Sequence, residues 1–286
     1  MSLLRINLLG IHFIAFFTML TGCNALSDTT AGHIQILEEL ALPEKLKETS
    51  GLFCMNSTAV TVNDSGNSAE IFVIDRHGNI VSSSTINTHN HDWEAITGDT
   101  DFYYVGDVGN NRGERKNLRV LKISRATGKL QTIIPIAYEA NNPEQNSAYA
   151  HDYDAEGLVV KDGHLLLFSK SWKTQTLHIY KVNLSGSSTK LAPFRDVSGL
   201  PGVITGADWS EALDSYLLVG YKLNFPGRFA PFIAILDADF QVKRVESLPL
   251  QQVEGVCAQS AQEIWVTQEA SSSQPAKFIK LKLTAP

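Results

Sequence analysis

Basic residues are in the minority: 24 Lys and Arg stand against 30 Asp and Glu in 286 residues, a net charge of −6. No patch of basic and aromatic residues offsets that balance, which points away from nucleic acid as a partner. The chain has no G-x-S-x-G, so it lacks the signature of a nucleophile elbow. Convincing amphipathic helices are scarce: residues 37–48 read as the one helix-like stretch, and Pro43 interrupts it. Apolar runs long enough to suggest membrane insertion are missing after the first 22 residues. Cysteine occurs three times, at 23, 54 and 257.

What is present begins with a leader. Arg5 supplies a positive start, and residues 8–20 form an apolar run of signal-peptide length. Leu20-Thr21-Gly22-Cys23 follows and resembles a bacterial lipobox, in which the cysteine thiol becomes a thioether to diacylglycerol. The chain is therefore expected to divide into a lipoprotein signal peptide (1–22), a lipidated tether (23–32) and one folded domain (33–286). Asn24 follows the cysteine, and by resemblance to the enterobacterial sorting rule the lack of Asp there favours the outer over the inner membrane of the cell envelope. With Cys23 lipidated, Cys54 and Cys257 remain, and an oxidising compartment permits a disulfide. Their unequal offsets, four residues past Ser50 and three past Glu254, put them on opposite faces of period-two strands. A bond and two buried thiols both remain open.

The folded part repeats itself. An acid-then-small pair recurs at Glu94-Ala95, Glu156-Gly157 and Glu254-Gly255, with degenerate copies at Ser50-Gly51 and Gly206-Ala207. The copies are spaced by 44, 62, 50 and 48 residues, the period of propeller blades. Short alternating runs at 70–75, 118–123, 177–182 and 278–283 read as half-buried antiparallel strands. Each repeat accommodates four, the fourth exemplified by Lys190 to Phe194. The expected fold is all-β, a single propeller of five blades with six as the alternative. The last repeat has room for three strands, so an N-terminal strand at 33–37 is expected to close the ring and remove two exposed edges. Residues 141–153, rich in Asn, Ser and Ala, read as an inserted loop.

Antiparallel pairing brings the start of the first strand and the end of the second to one face of each blade. An inner ring of Ser50, Glu94, Glu156, Gly206 and Glu254 is expected there, with Asp64, Asp107, Lys170, Tyr221 and Glu269 around it as ligand-binding residues. Clustered carboxylates repel and must be neutralised by protons, by lysines or by a cation. Glu94, Glu156, Glu254 and Asp107 are metal-ligand candidates, with Ca²⁺ the ion that suits many oxygen ligands in irregular geometry. The same acids could instead clamp blades by accepting backbone hydrogen bonds. His89 and His151 align on the glutamates and are candidate general bases together with Glu94 and Glu156; both could equally cap turns.

The motifs Asn63-Asp64-Ser65-Gly66-Asn67, Asp92-Trp93-Glu94-Ala95-Ile96, Gly106-Asp107-Val108-Gly109-Asn110-Asn111 and Asp154-Ala155-Glu156-Gly157-Leu158 resemble those of a broad group of exported bacterial β-propeller proteins, most without an assigned activity. The acid at the start of an inner strand is more distantly similar to calcium-dependent lactonases of the gluconolactonase and paraoxonase type. Those have six blades, and their ligand set is not reproduced here residue by residue. The resemblance implies the fold more than the function. The expected function is a lipid-anchored envelope propeller that binds a ligand or an envelope protein at an acidic, ion-free or Ca²⁺-loaded mouth. The alternative is a metal-dependent hydrolase of an ester, lactone or phosphoester. A carbohydrate-active enzyme ranks behind both. Its discriminator is an aromatic-lined cleft, for which Tyr221, Trp93, Trp172 and Trp209 are available.

Overall fold

The computed structural model describes residues 34–184, 189–224 and 228–284. The leader, Cys23, His33 and residues 185–188 lie outside the described residues. No helix among the described residues is long and apolar enough to cross a membrane.

Five antiparallel blades follow the repeat. After β1 (Ile34–Ala41), the first blade comprises β2 (Thr49–Met55), β3 (Thr58–Asn63), β4 (Glu70–Asp75) and β5 (Ile80–Thr85). The second holds β6 (Trp93–Gly98), β7 (Phe102–Asp107), β8 (Arg119–Ser124) and β9 (Leu130–Tyr138). The third holds β10 (Ala155–Lys161), β11 (His164–Ser169) and β12 (Leu177–Val182), then β13 (Thr189–Leu191) and β14 (Arg195–Val197). The fourth holds β15 (Val203–Ser210), β16 (Ser215–Asn224), β17 (Arg228–Asp237) and β18 (Val242–Ser247). The fifth has β19 (Val253–Ala258), β20 (Glu263–Gln268) and β21 (Lys277–Leu283), and β1 completes it by pairing antiparallel with β21. Six blades are thereby ruled out. The helix-like reading of 37–48 is also overturned: β1 runs to Ala41, and only Glu44–Leu46 forms a 3₁₀ turn. Burial alternates along β1, which has one covered face, and that alternation wins over the weak helical pattern.

The expected fourth strand of the third blade is divided. Lys190 belongs to β13, which leaves its own blade and pairs in parallel with β9 of the second. Its place is taken by β14, paired with β12.

Successive blades contact through their innermost strands, β2 to β6, β10, β15, β19 and back to β2. Five apolar clusters fill the five interfaces between blades. Neighbouring residues serve different interfaces: Tyr104 packs toward the third blade and Val105 toward the first. That is why the inner strands read as continuous apolar runs while outer β18 alternates.

The acid-small pair has a structural cause. In blades two to five the first strand carries a one-residue bulge, and the extra residue is Glu94, Glu156, Thr205 and Glu254. The ring position of the fourth blade is therefore Thr205, one residue before Gly206. The next residue must be small because inner strands converge there: a Cβ on Gly157 would lie 2.9 Å from that of Ala207. In the first blade the bulge falls later, between Ser50 and Phe53, where Gly51 adopts φ +66°. The residue absorbed after Ser50 brings Cys54 into register with Cys257, and the two form a disulfide between first and last blades.

Candidate functional site

The bulge residues come together. Ser50 Oγ donates to Glu94 Oε2 at 3.2 Å and to the Glu94 carbonyl at 3.0 Å. Thr205 Oγ1 donates to the Val253 carbonyl of the next blade at 2.6 Å. Glu156 forms an ion pair with Lys170, and both are buried. Glu156 and Glu254 are close enough for each to shift the titration of the other. The Oε2 atoms of both are buried and meet no donor among the described residues.

The cluster is an acid-rich pocket with one cation at its centre. Burial works against the charge of Lys170, but Glu156, Tyr221, Glu254 and Asp154 outweigh it and hold the ammonium well above the usual lysine range. Burial, with Glu156 and Asp92, pushes Glu94 well above the usual glutamate range. Burial, with Glu269, raises Glu254 to about 7 against the pull of Lys170. Asp64 and Glu269 behave alike: burial and neighbouring acids raise them to about 7 and about 8.

The surrounding ring differs from expectation at one point. Trp93 pairs with Asp107, and Ala155 with Ser169, so the equivalent of Lys170 in the second blade is Val108. The ring is Asp64, Val108, Lys170, Tyr221 and Glu269. Asp107 lies one residue earlier, and period-two geometry turns its side chain to the other side of the sheet. There Arg115 Nη2 at 2.7 Å, Arg119 Nε at 2.9 Å and the Asp92 amide at 3.1 Å engage it.

The two histidines part company. His89 is exposed and faces His91 with ring centroids 6.1 Å apart. His151 is buried; its Nδ1 accepts from the Tyr153 amide, and Nε2 donates to the Asn111 carbonyl at 3.1 Å. Both of its nitrogens are engaged in holding the inserted loop. Asp154, two residues before Glu156, is a clamp: it accepts from the Asn110 amide at 2.6 Å, the Ala155 amide at 3.1 Å and Trp172 Nε1 at 3.0 Å.

Among the described residues no three His, Cys, Asp or Glu side chains are arranged to hold a metal ion. In this arrangement Lys170 supplies counter-charge to the acids.

Beside the cluster, on the same face, lies a cavity of 340 Å³. Lys170 and Tyr221 line it from the ring, with Trp172 and Tyr149 on one side and Phe229 and Leu223 on the other. Asn111 and Gln252 complete it. Tyr149 and Trp172 meet edge to face at 5.0 Å, as do Tyr221 and Phe229 at 4.6 Å. Gln252 Nε2 donates to Glu269 Oε2, joining the cavity to the ring. A larger cavity, 520 Å³, is lined by Leu213, Lys243, Ala261 and Gln262 near the turns that end β15 and β19. It has neither aromatic nor carboxyl lining, so volume alone does not locate the chemistry.

Of the four aromatics available in the sequence, Trp172 and Tyr221 line the cleft, whereas Trp93 is core and Trp209 meets Tyr216 edge to face. Tyr149 and Phe229 were missed. The one signal for Tyr149 was an aromatic residue in a polar inserted loop; it is 60% exposed, with φ +58°.

No protein-family model matches the chain, and no curated protein does. Among solved structures, a luciferin-regenerating enzyme is similar at 12% identity and a TM-score of 0.44, over 86% of this chain and 95% of that one. The Dos1 propeller is similar at 13% identity and a TM-score of 0.41, over 77% of this chain and 52% of that one. At that level of likeness neither structure carries an argument about this chain, whose five-bladed propeller architecture stands on its own strand order.

Proposed function

We propose that this chain is a lipid-anchored envelope β-propeller that captures a ligand at the cavity bounded by Lys170, Trp172, Tyr149 and Tyr221. The observation that carries the reading is the meeting of two features at one blade face. A polar ring supplies charge and hydrogen bonds, and an aromatic-walled cavity of small-molecule size adjoins it. An envelope protein docking by an inserted side chain is the macromolecular form of the same reading. Anchoring rests on Cys23 and the leader. Its test is palmitate labelling and fractionation: wild type partitions with outer membranes, and Cys23→Ser becomes soluble. A Cys23→Ser chain that stays with the membranes overturns the anchor.

Lys170→Met or Trp172→Ala should abolish ligand capture while the propeller still folds by circular dichroism. Capture unaffected by both defeats the assignment of this cavity. In a calcium-loaded version, Glu94, Glu156 and Glu254 would regroup away from Lys170. Calcium chloride would then raise the melting temperature of wild type and leave Glu94→Gln/Glu156→Gln unchanged. No shift in wild type removes that version.

One observation favours the hydrolase alternative: two neighbouring buried carboxyls, with Glu254 raised to about 7, are equipped for acid–base work. Neither carboxyl lines the cavity. Metal-dependent turnover of simple esters, lactones or phosphoesters, lost in Glu156→Gln, would replace binding by catalysis.

A further inference from the structure

Charge and ring geometry narrow the ligand of this cavity to one chemical class, an inference that rests on the cavity being the ligand site. We infer that it takes a neutral glycosyl unit and holds it without cleaving it.

A cationic ligand would seek the faces of the aromatic rings. Those places are taken: Lys170 Nζ sits 4.9 Å from the centroid of Trp172 and 5.4 Å from that of Tyr221. A second cation would meet the first. An anionic ligand would seek Lys170, but Glu156 already neutralises it, and Glu254 and Glu269 stand behind it. The buried ion pair leaves no free positive charge to draw an anion into the cavity. What remains is an uncharged ligand that offers apolar C–H faces to rings and hydroxyl groups to the polar floor. Asn111 and Gln252 carry both donors and acceptors, and Lys170 adds donors. A pyranose ring has both features on one body.

The walls suit a flat, rigid guest. Trp172 is anchored through Nε1 to buried Asp154. Tyr149 stands at the surface but is fixed from below: its amide donates to the Asn111 carbonyl at 2.9 Å, and Asn146 of the same loop donates to the Gly113 carbonyl at 2.8 Å. The inserted loop thus delivers an aromatic rim to the cavity, a reason for its presence that the repeat does not supply.

Cleavage is disfavoured by the lining. Glycoside hydrolysis uses two carboxyl groups about 5–5.5 Å apart for retention or about 6.5–9.5 Å for inversion. No carboxyl group lines the cavity, and Glu156 and Glu254 lie outside its walls.

The test uses the full-length chain in a non-glycosidic detergent, with isothermal titration calorimetry and tryptophan fluorescence. The probes are chitotetraose, cellotetraose, maltotetraose and mannotetraose, with tetramethylammonium and an oligogalacturonate as charged controls. At least one neutral tetramer is expected to bind and to remain intact after overnight incubation. Tyr149→Ala and Trp172→Ala are each expected to weaken it about tenfold or more, with Trp172→Phe restoring part of the loss. Tyr149 is exposed, so its variant keeps the test meaningful where Trp172→Ala unfolds. Binding of a charged control in place of every neutral sugar overturns the sugar while leaving the cavity as the ligand site. Sugar binding indifferent to Tyr149→Ala and to a folded Trp172 variant overturns the cavity itself. No binding of any probe overturns the proposal, and release of shorter sugars overturns the claim that the unit is only held.

Discussion

The ring position is filled by a hydroxyl in blades one and four and by a carboxyl in blades two, three and five. The backbone at blade four is the same as at its acidic counterparts: one extra residue where the inner strand begins. Thr205 spends its hydroxyl on a neighbouring carbonyl, a local clamp that needs no counter-charge. Glu156 and Glu254 gather around Lys170, and each keeps an Oε2 that meets no donor among the described residues, while Glu94 accepts from Ser50. A blade-to-blade joint therefore does not require an acid, and the acids at the other three blades need another explanation. The cavity beside Lys170 provides one.

The strongest way to break the contrast is to remove the cation. Lys170→Met leaves buried carboxyls without a partner and is expected to cost about 3–5 kcal/mol in urea unfolding at pH 8. The loss should shrink at pH 5, where the carboxyls are protonated. An equal loss at both values would mean that Lys170 acts by packing alone.

Titration sharpens the same contrast. Glu254 moves from the ordinary 4.5 to about 7, and Glu269 to about 8. Between pH 4.5 and 8 the folded chain holds protons that the unfolded chain has released. Stability is thus greatest at the acid end of that window, falls as pH rises through it, and levels off above. The melting temperature should drop by roughly 5–10 °C from pH 5 to pH 8.5. Glu254→Gln should flatten the slope, and an unchanged slope in that variant would place the titration elsewhere.

The disulfide makes one hydroxyl blade special. Cys54→Ser removes the covalent link between blades one and five, across a separation of 203 residues. Chain-entropy reasoning gives a loss of about 2–5 kcal/mol, read as a lowered urea midpoint under non-reducing conditions. No change relative to reduced wild type is expected once both are treated with dithiothreitol.

The smallest effect belongs to the clamp. Thr205→Val should cost about 1 kcal/mol, with the pH slope of wild type preserved. A changed slope would tie Thr205 to the carboxyl cluster after all.

The blades were legible because a repeat of apolar strands and turns survives in the letters. The misreadings cluster where a single residue matters. The spacing points to Gly206 where the ring holds Thr205 and to Asp107 where it holds Val108, because a bulge shifts register by one without any marker in composition. The same shift made the cysteines look incompatible. His89 and His151 align in sequence, yet one is exposed and the other buried under the inserted loop. Alignment conveys position along a strand and nothing about what a loop lays over it.

From its sequence this protein is an all-β, five-times-repeated chain with acids at the inner strand starts and a lipoprotein-like leader. Those properties are local: periodicity, turn residues and small residues where strands crowd. Only the tertiary structure decided that Lys170 sits among the glutamates and that burial raises the titration of two neighbouring carboxyls. It also decided that Tyr149 and Phe229, 80 residues apart in the chain, wall one cavity with Trp172 and Tyr221. Burial and ring closure bring together groups from different blades, and both the desolvation that sets their charge and the walls that define a ligand exist only once the ring has closed.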